Sequence, residues 1–377
     1  MRCARPSLPL LLLLMGAAAC PAEAPHVFQG QEAWDNPDAV TVSGDEFLLD
    51  QGYAGGYTSR GFNYNGSLDD GTLFAIHFSQ WRYGILNGWA IGFVAVTADG
   101  QVYVHEGKLR EKDLAMGGDR YSLRFAEGSL TGEGGESRIL LELEDLGCDL
   151  TVSGILPPWK PGDGQAFFPS SRQSFTRLVV PSPWAAVRGW LRLGDRRVTV
   201  SGQCCADRSL HSYPMRDFAN RTFFFRTFSP ASVPPEERWL LYLQVYETRS
   251  LHGSLRMPLL LLARGGKWVL TTPDFTIAPL DAGGEDPRTG PLPRPLALSA
   301  RGAGWELQGD FVVTRLIHTS DVEQKLPGFL RSMVSVFFKR TLLYRLQGTF
   351  RGTLRGPQGR REELLLPGQG SFAVFAK

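Results

Sequence analysis

The stretch VSGQCCADRSLHSYPMRDFANRTFFFRTF, Val200 to Phe228, sets Cys204, Cys205, Asp207, Arg208, Ser209, His211 and Tyr213 within ten residues. A zinc site wants paired cysteines with a short spacer, and Cys204 and Cys205 are adjacent, so the spacing calls for no metal. A nucleophilic triad is equally unsupported. Ser209 and His211 fall on one face of a strand, and no Gly-x-Ser-x-Gly elbow occurs. A glycosidase needs two opposed carboxylates, whereas Glu142, Glu144 and Asp145 read as a solvated strand edge or turn. Two uses remain. Asp207, Arg208 and His211, with His77 from an earlier strand, could orient the head group of an apolar ligand. Alternatively, Asp207 could act as an acid toward such a ligand.

The elements that must carry these groups are strands. The chain has 43 glycines and 25 prolines scattered among short apolar runs, the pattern of many turns and many strands. GTLFAIHFSQW alternates, with Phe74, Ile76 and Phe78 on one face and Ala75, His77 and Ser79 on the other. TADGQ, Thr97 to Gln101, carries an Asp-Gly hairpin signal. Eight candidate strands run from Glu46 to Gly154, and strands resume after the proline-rich ILPPWKPGDGQAFFPSS. That break sets a boundary between residues 45–170 and 171–377. One helix is predicted near 320–341, capped by Ser320 with Glu323 three residues on, and Val322, Leu326, Phe329, Met333 and Phe337 recur at helical spacing. The expected fold is all-β: two tandem lipocalin-like β-barrels with one late amphipathic helix. Two β-sandwiches are the rival arrangement.

The first 20 residues read as an export signal, with Arg2 and Arg5 ahead of a leucine run and small residues leading to Cys20. Small residues before a cysteine suggest a lipoprotein, with Cys20 lipidated and anchored to a membrane; plain cleavage nearby is the alternative. Residues 21–44 read as an extended tether. The expected location is thus outside the cytoplasm, membrane-anchored, periplasmic or extracellular. A net charge of +2 without a basic stripe argues against a nucleic-acid partner. Export permits disulfides, and Cys148 could bridge Cys204 or Cys205 or remain a buried thiol.

Three stretches carry a family resemblance: Asp69 to Gly100, Val187 to Phe228 and Thr314 to Phe350. In order and extent they resemble the tandem lipocalin-like superfamily of fungal survival-factor proteins, AttH-like bacterial proteins and CrtC-type carotenoid 1,2-hydratases, and most closely the survival-factor branch. The resemblance implies two barrels with hydrophobic interiors. In the survival-factor branch it implies lipid binding and oxidative-stress survival; in the hydratase branch, acid-catalysed addition of water to a polyene. Hydratase and AttH-like members tend to show Gly-x-x-Trp-x-Asp-His-Glu-Trp here. Of that pattern this chain keeps Gly202 and Asp207, with Cys205, Arg208, Ser209 and Leu210 at the other positions.

The sequence thus leans to non-enzymatic binding or carriage of a lipid or isoprenoid at the cell envelope, without a cofactor. A hydratase, isomerase or cyclase is the alternative, with Asp207 as its acid. The 42 aromatic residues among 377 supply candidate pocket walls. Trp81, Trp89, Trp190, Phe223, Phe225 and Trp239 are the expected ligand contacts, with His77, Asp207, Arg208 and His211 at the head group.

Overall fold

The computed structural model describes residues 25–48, 57–83, 86–117, 120–168, 171–279, 285–286, 290–291, 296–321 and 341–375. The expected export signal, Cys20 and nearly all of the predicted late helix lie outside these residues.

Strands dominate, in two large antiparallel sheets, each curled into a nearly closed barrel. The first contains β1 (His26–Val27), β2 (Tyr57–Leu68), β3 (Leu73–Tyr83), β4 (Leu86–Val96) and β5 (Val102–Leu109). It continues with β6 (Glu111–Gly117), β7 (Arg120–Phe125), β8 (Gly128–Glu133), β9 (Glu136–Glu142) and β10 (Leu146–Gly154). It ends with β11 (Gln165–Phe168), β12 (Ser171–Leu193) and β13 (Arg196–His211). Its main path runs β5-β4-β3-β2-β13-β12-β10-β9-β8-β7-β6.

The second sheet contains β14 (Ala219–Phe228), β15 (Trp239–Thr248), β16 (Arg256–Arg264), β17 (Lys267–Thr272) and β18 (Phe275–Pro279). After a two-stranded ribbon, β19 (Glu285–Asp286) with β20 (Gly290–Pro291), come β21 (Leu296–Gly302), β22 (Trp305–Asp321), β23 (Thr341–Arg355) and β24 (Arg361–Phe375). The order is β17-β16-β15-β14-β24-β23-β22-β21-β18. β17, at one end, approaches β21, next to the other end, where Thr272 donates to the Arg301 carbonyl at 2.6 Å.

Period-two alternation places the side chains as the pattern demands. Phe74, Ile76 and Phe78 point into the first barrel with Phe62, Trp89 and Phe93. The Thr97–Gln101 hairpin forms, closed by Gly100 N–H to the Thr97 carbonyl at 2.8 Å. The second barrel is filled by Phe223, Phe225, Leu243, Phe311, Tyr344 and Phe350. Among the described residues both cores are packed with large apolar side chains. A third apolar layer, with Trp34, Trp159, Trp184, Tyr242 and Leu261, lies outside both interiors and joins the barrels along a seam.

Two expected boundaries are corrected. The proline-rich break at residue 170 does not end the first sheet, because β12 and β13 both belong to it; the chain passes to the second sheet between His211 and Ala219. The break is a loop that folds back on the same sheet, bridging Trp159 to Val180. The described part of the 21–44 tether is also no free linker. Trp34 is buried edge-on to Trp159 at 5.3 Å, and the Thr271 hydroxyl donates to the Trp34 carbonyl. Gly162 makes this docking possible: its φ is 55°, and a Cβ there would stand 2.1 Å from the Phe28 carbonyl oxygen.

Cys148, Cys204 and Cys205 are buried free thiols. Cys148 lies on β10 and Cys204 on β13, with β12 between them. Two strand spacings, roughly 9–10 Å, exceed the reach of a disulfide. Cys204 faces the first barrel's interior and Cys205 faces the seam.

Candidate active site

On β13 the even residues turn into the first barrel and the odd ones to the seam. Arg208 therefore parts from Asp207. Its guanidinium lies 4.2 Å from the Tyr121 ring centroid and donates to the Phe47 carbonyl at 2.5 Å. This is a latch inside the barrel and not a head-group contact. Asp207 faces the second barrel, where Arg226 of β14 donates to it at 2.9 Å. Both residues are about 3% exposed.

Registry extends Asp207 into a row. Asp207 pairs with Asn63 of β2, Asn63 with His77 of β3, His77 with Gly92 of β4, and Gly92 with Glu106 of β5. Asn63 Nδ2 donates to Asp207 Oδ1 at 2.7 Å. That leaves Asn63 Oδ1 to accept from His77, so the imidazole carries its proton on Nδ1 and presents a bare Nε2. Carboxylate, amide and imidazole form one hydrogen-bonded line that sets the tautomer of the histidine.

Two glycines clear the ground around His77. A Cβ on Gly61 would come within 3.3 Å of the His77 ring. One on Gly92, the cross-strand neighbour of His77, would meet nothing within 4 Å, so open space lies over that glycine. His211 sits on the same face of the sheet, its Nδ1 3.0 Å from the Thr176 hydroxyl, which also bonds the Tyr213 hydroxyl. The second barrel faces this row with Gln244, Tyr246, Phe224 and Arg345. Tyr246 stands edge-on to His211, centroids 5.9 Å apart, and to Phe224 at 5.4 Å.

Burial governs the charges. It pushes His77 down to about 4, helped by the Arg345 guanidinium. It does the same to His211, helped by His77. Both imidazoles are neutral at pH 7. Burial also disfavours the Arg226 charge, but Tyr242 and Asp207 outweigh it and hold the guanidinium protonated. Tyr246 is raised, chiefly by burial and then by Asp207, and stays a phenol.

The histidines make stability depend on pH. Their folded values, about 4, lie below the ordinary 6.5. The unfolded chain therefore binds protons first, and stability present above pH 6.5 is lost as pH falls toward 4. We expect a loss of about 1 kcal/mol per histidine from pH 6.5 to 5.5. Urea unfolding across that range checks it, and His77→Gln should flatten part of the slope.

The expected ligand contacts do not gather at one place. His77, Asp207 and His211 share the seam. Trp81 lies on their side of β3, half-exposed and against Gly88. Trp89 is inside the first barrel, where it meets Phe125 at 5.3 Å. Phe223, Phe225 and Trp239 are inside the second. Trp190 lies on the outside of β12 under the Arg197 guanidinium, 3.8 Å from its ring. These aromatics have separate surroundings because their strand parities differ. The sequence reading missed Asn63, Gly92, Arg226 and Arg345. An open concavity of about 950 Å³ is lined by Leu114, Met116 and Tyr121 of the first barrel with Glu133 and Arg138, and includes none of the residues of the His77–Asp207 row.

Comparison with solved structures places this geometry in a known fold. CghA, solved with Sch210972, superposes with a TM-score of 0.60 at 14% identity, covering 85% of this chain and 89% of its own. Kievitone hydratase from Nectria haematococca gives 0.57 at 10% identity, over 92% and 96%. A putative AttH from Nitrosomonas europaea gives 0.54 at 13% identity, over 88% and 96%. The chain has their tandem-barrel fold. At such identities the likeness concerns the fold alone, and it extends to AttH-like proteins without singling out a survival-factor branch. No protein-family model and no curated protein matches the sequence.

Proposed function

We propose that the protein is an enzyme of proton transfer, a hydratase, isomerase or cyclase, acting on an apolar small molecule held in the seam between the barrels. One observation carries this reading: the Asp207–Asn63–His77 line holds a neutral imidazole with a bare Nε2, and Gly92, its cross-strand neighbour, leaves open space on the same face of the sheet. Such a nitrogen can take a proton from substrate carbon or from water. The imidazolium formed is stabilised through Asn63 by Asp207, which is a positioning residue here and not the acid. That imidazolium can return the same proton to a second atom of the substrate, which restores neutral His77; His211, neutral and bonded through Nδ1 to Thr176, is a further polar group on this face of the sheet. Trp81, Phe224 and Tyr246 offer apolar walls. Fold likeness to a protein named as a hydratase supports the class of reaction, and likeness to one solved with a small molecule supports the kind of ligand.

Carriage of a lipid within either barrel, the survival-factor reading, has less support because large apolar side chains pack both cores. Export and lipidation at Cys20 stay part of the proposal.

The test is solvent-isotope incorporation. Purified protein is incubated in D₂O with a panel of polyenes and enones, and products are read by mass spectrometry. Wild type should add deuterium to at least one member. His77→Gln should lower that rate about 10²-fold. Gly92→Leu should fill the open space and lower it similarly with the fold intact. Deuterium uptake that is undetectable in wild type, or unchanged in His77→Gln, would overturn the proposal.

A further inference from the structure

We infer that the molecule bound in the seam carries a carboxylate on an apolar body, and that Arg345 is the group that binds it. This rests on the seam being the active site. Arg345 stands on β23, in register with His318 of β22 and Ser371 of β24. Its neighbours Tyr344 and Leu346 point into the second barrel, while Leu343 packs in the seam, so Arg345 shares the seam-facing parity.

The other two arginines in or beside the row are accounted for. Arg226 has Asp207, and Arg208 has the Phe47 carbonyl and the Tyr121 ring. Arg345 is half-buried and, among the described residues, has no hydrogen-bond or ion-pair partner. The acidic groups of the seam are already engaged. Asp207 is held by Arg226 and Asn63. Glu106 is met by His318 at 3.5 Å and by the Ser320 hydroxyl at 3.3 Å. Burial alone draws Arg345 down to about 10, which leaves it charged at pH 7, and its charge helps to keep His77 and His318 neutral. A half-buried cation without a counter-ion gains from an anion that reaches it, and a guanidinium fits a carboxylate in a two-bond fork. The apolar body would lie along Phe224, Leu343 and Trp81, with its reacting carbon toward His77. Arg345 thus selects and orients the substrate.

The test compares cis-parinaric acid with its methyl ester, two fluorescent polyenes that differ in the charged group. Wild type should bind the acid about 10- to 100-fold more tightly. Arg345→Met should abolish that preference and leave ester binding unchanged, and Arg345→Lys should retain part of it. Arg345→Met should also melt at or above the wild-type temperature, because it removes a half-buried charge without orphaning a partner. Equal affinity for acid and ester, no binding of either, or an acid preference that survives in Arg345→Met would overturn the inference. Failure of the site reading looks different: Gly92→Leu would then leave the binding of both probes unchanged.

Discussion

Arg226→Met should destabilise the protein by about 3–5 kcal/mol, the cost of leaving a buried charge without its partner. Arg226 Nη2 donates to Asp207 at 2.9 Å and to Gln244 at 3.2 Å, while Nη1 donates to the carbonyls of Phe225 at 3.0 Å and Leu243 at 2.8 Å. Its guanidinium also stacks 3.3 Å from the Tyr242 ring centroid. Methionine fills much of the volume but satisfies none of these acceptors. Asp207 would then sit 3% exposed with Asn63 as its remaining donor. The double variant Arg226→Met, Asp207→Asn should recover part of the loss, because the orphaned charge is gone. Urea unfolding of the two singles and the double gives the coupling. A single-variant cost below about 1 kcal/mol would show that the pair is not what holds the barrels in register. The contrast with Arg345 is direct: one arginine has its anion within the protein, and the other awaits it from a ligand.

Trp159→Ala should cost a similar amount, about 3–5 kcal/mol, as expected for truncating a fully buried aromatic. Trp159 is 0% exposed and sits where three parts of the chain meet. Its indole donates to the Ala33 carbonyl at 3.0 Å, its ring meets Trp34 at 5.3 Å, and Trp268 of the second barrel lies 6.0 Å away. Removing it should loosen residues 25–48 before the barrels themselves. We expect faster proteolysis and faster hydrogen exchange in that segment under native conditions. If exchange there is unchanged while global stability falls, the tryptophan supports the second barrel and not the N-terminal segment.

Much of the fold is legible in local chemistry. Alternation along β3 assigns Phe74, Ile76 and Phe78 to one face and His77 to the other, and Asp99-Gly100 marks a hairpin. The same rule separates Cys204 from Cys205 and Asp207 from Arg208. Where local signals point wrongly, the cause is long-range. Proline at residues 157, 158 and 161 looks like a boundary, yet β12 and β13 return to the first sheet and cover it. Nine strands run from Tyr57 to Gly154 where eight were expected. Only Arg110 separates β5 from β6, so no turn residue announces the break.

The amino-acid sequence by itself determined the all-β class, the doubling of the strand set and which side of each strand is apolar, because period-two patterning and turn residues act over a few positions. It could not show how the aromatic residues divide between the two cores and the layer between them, or that the polar face of β13 meets a second barrel. RTFFFRTF places Arg226 opposite Phe223 and Phe225, where an isolated barrel would expose it to water. Docking of one sheet on the other buries that face, brings Arg226 to Asp207 and sets Arg345 across from His77. Those pairings join residues far apart in the chain, and nothing in their local sequence encodes the contact.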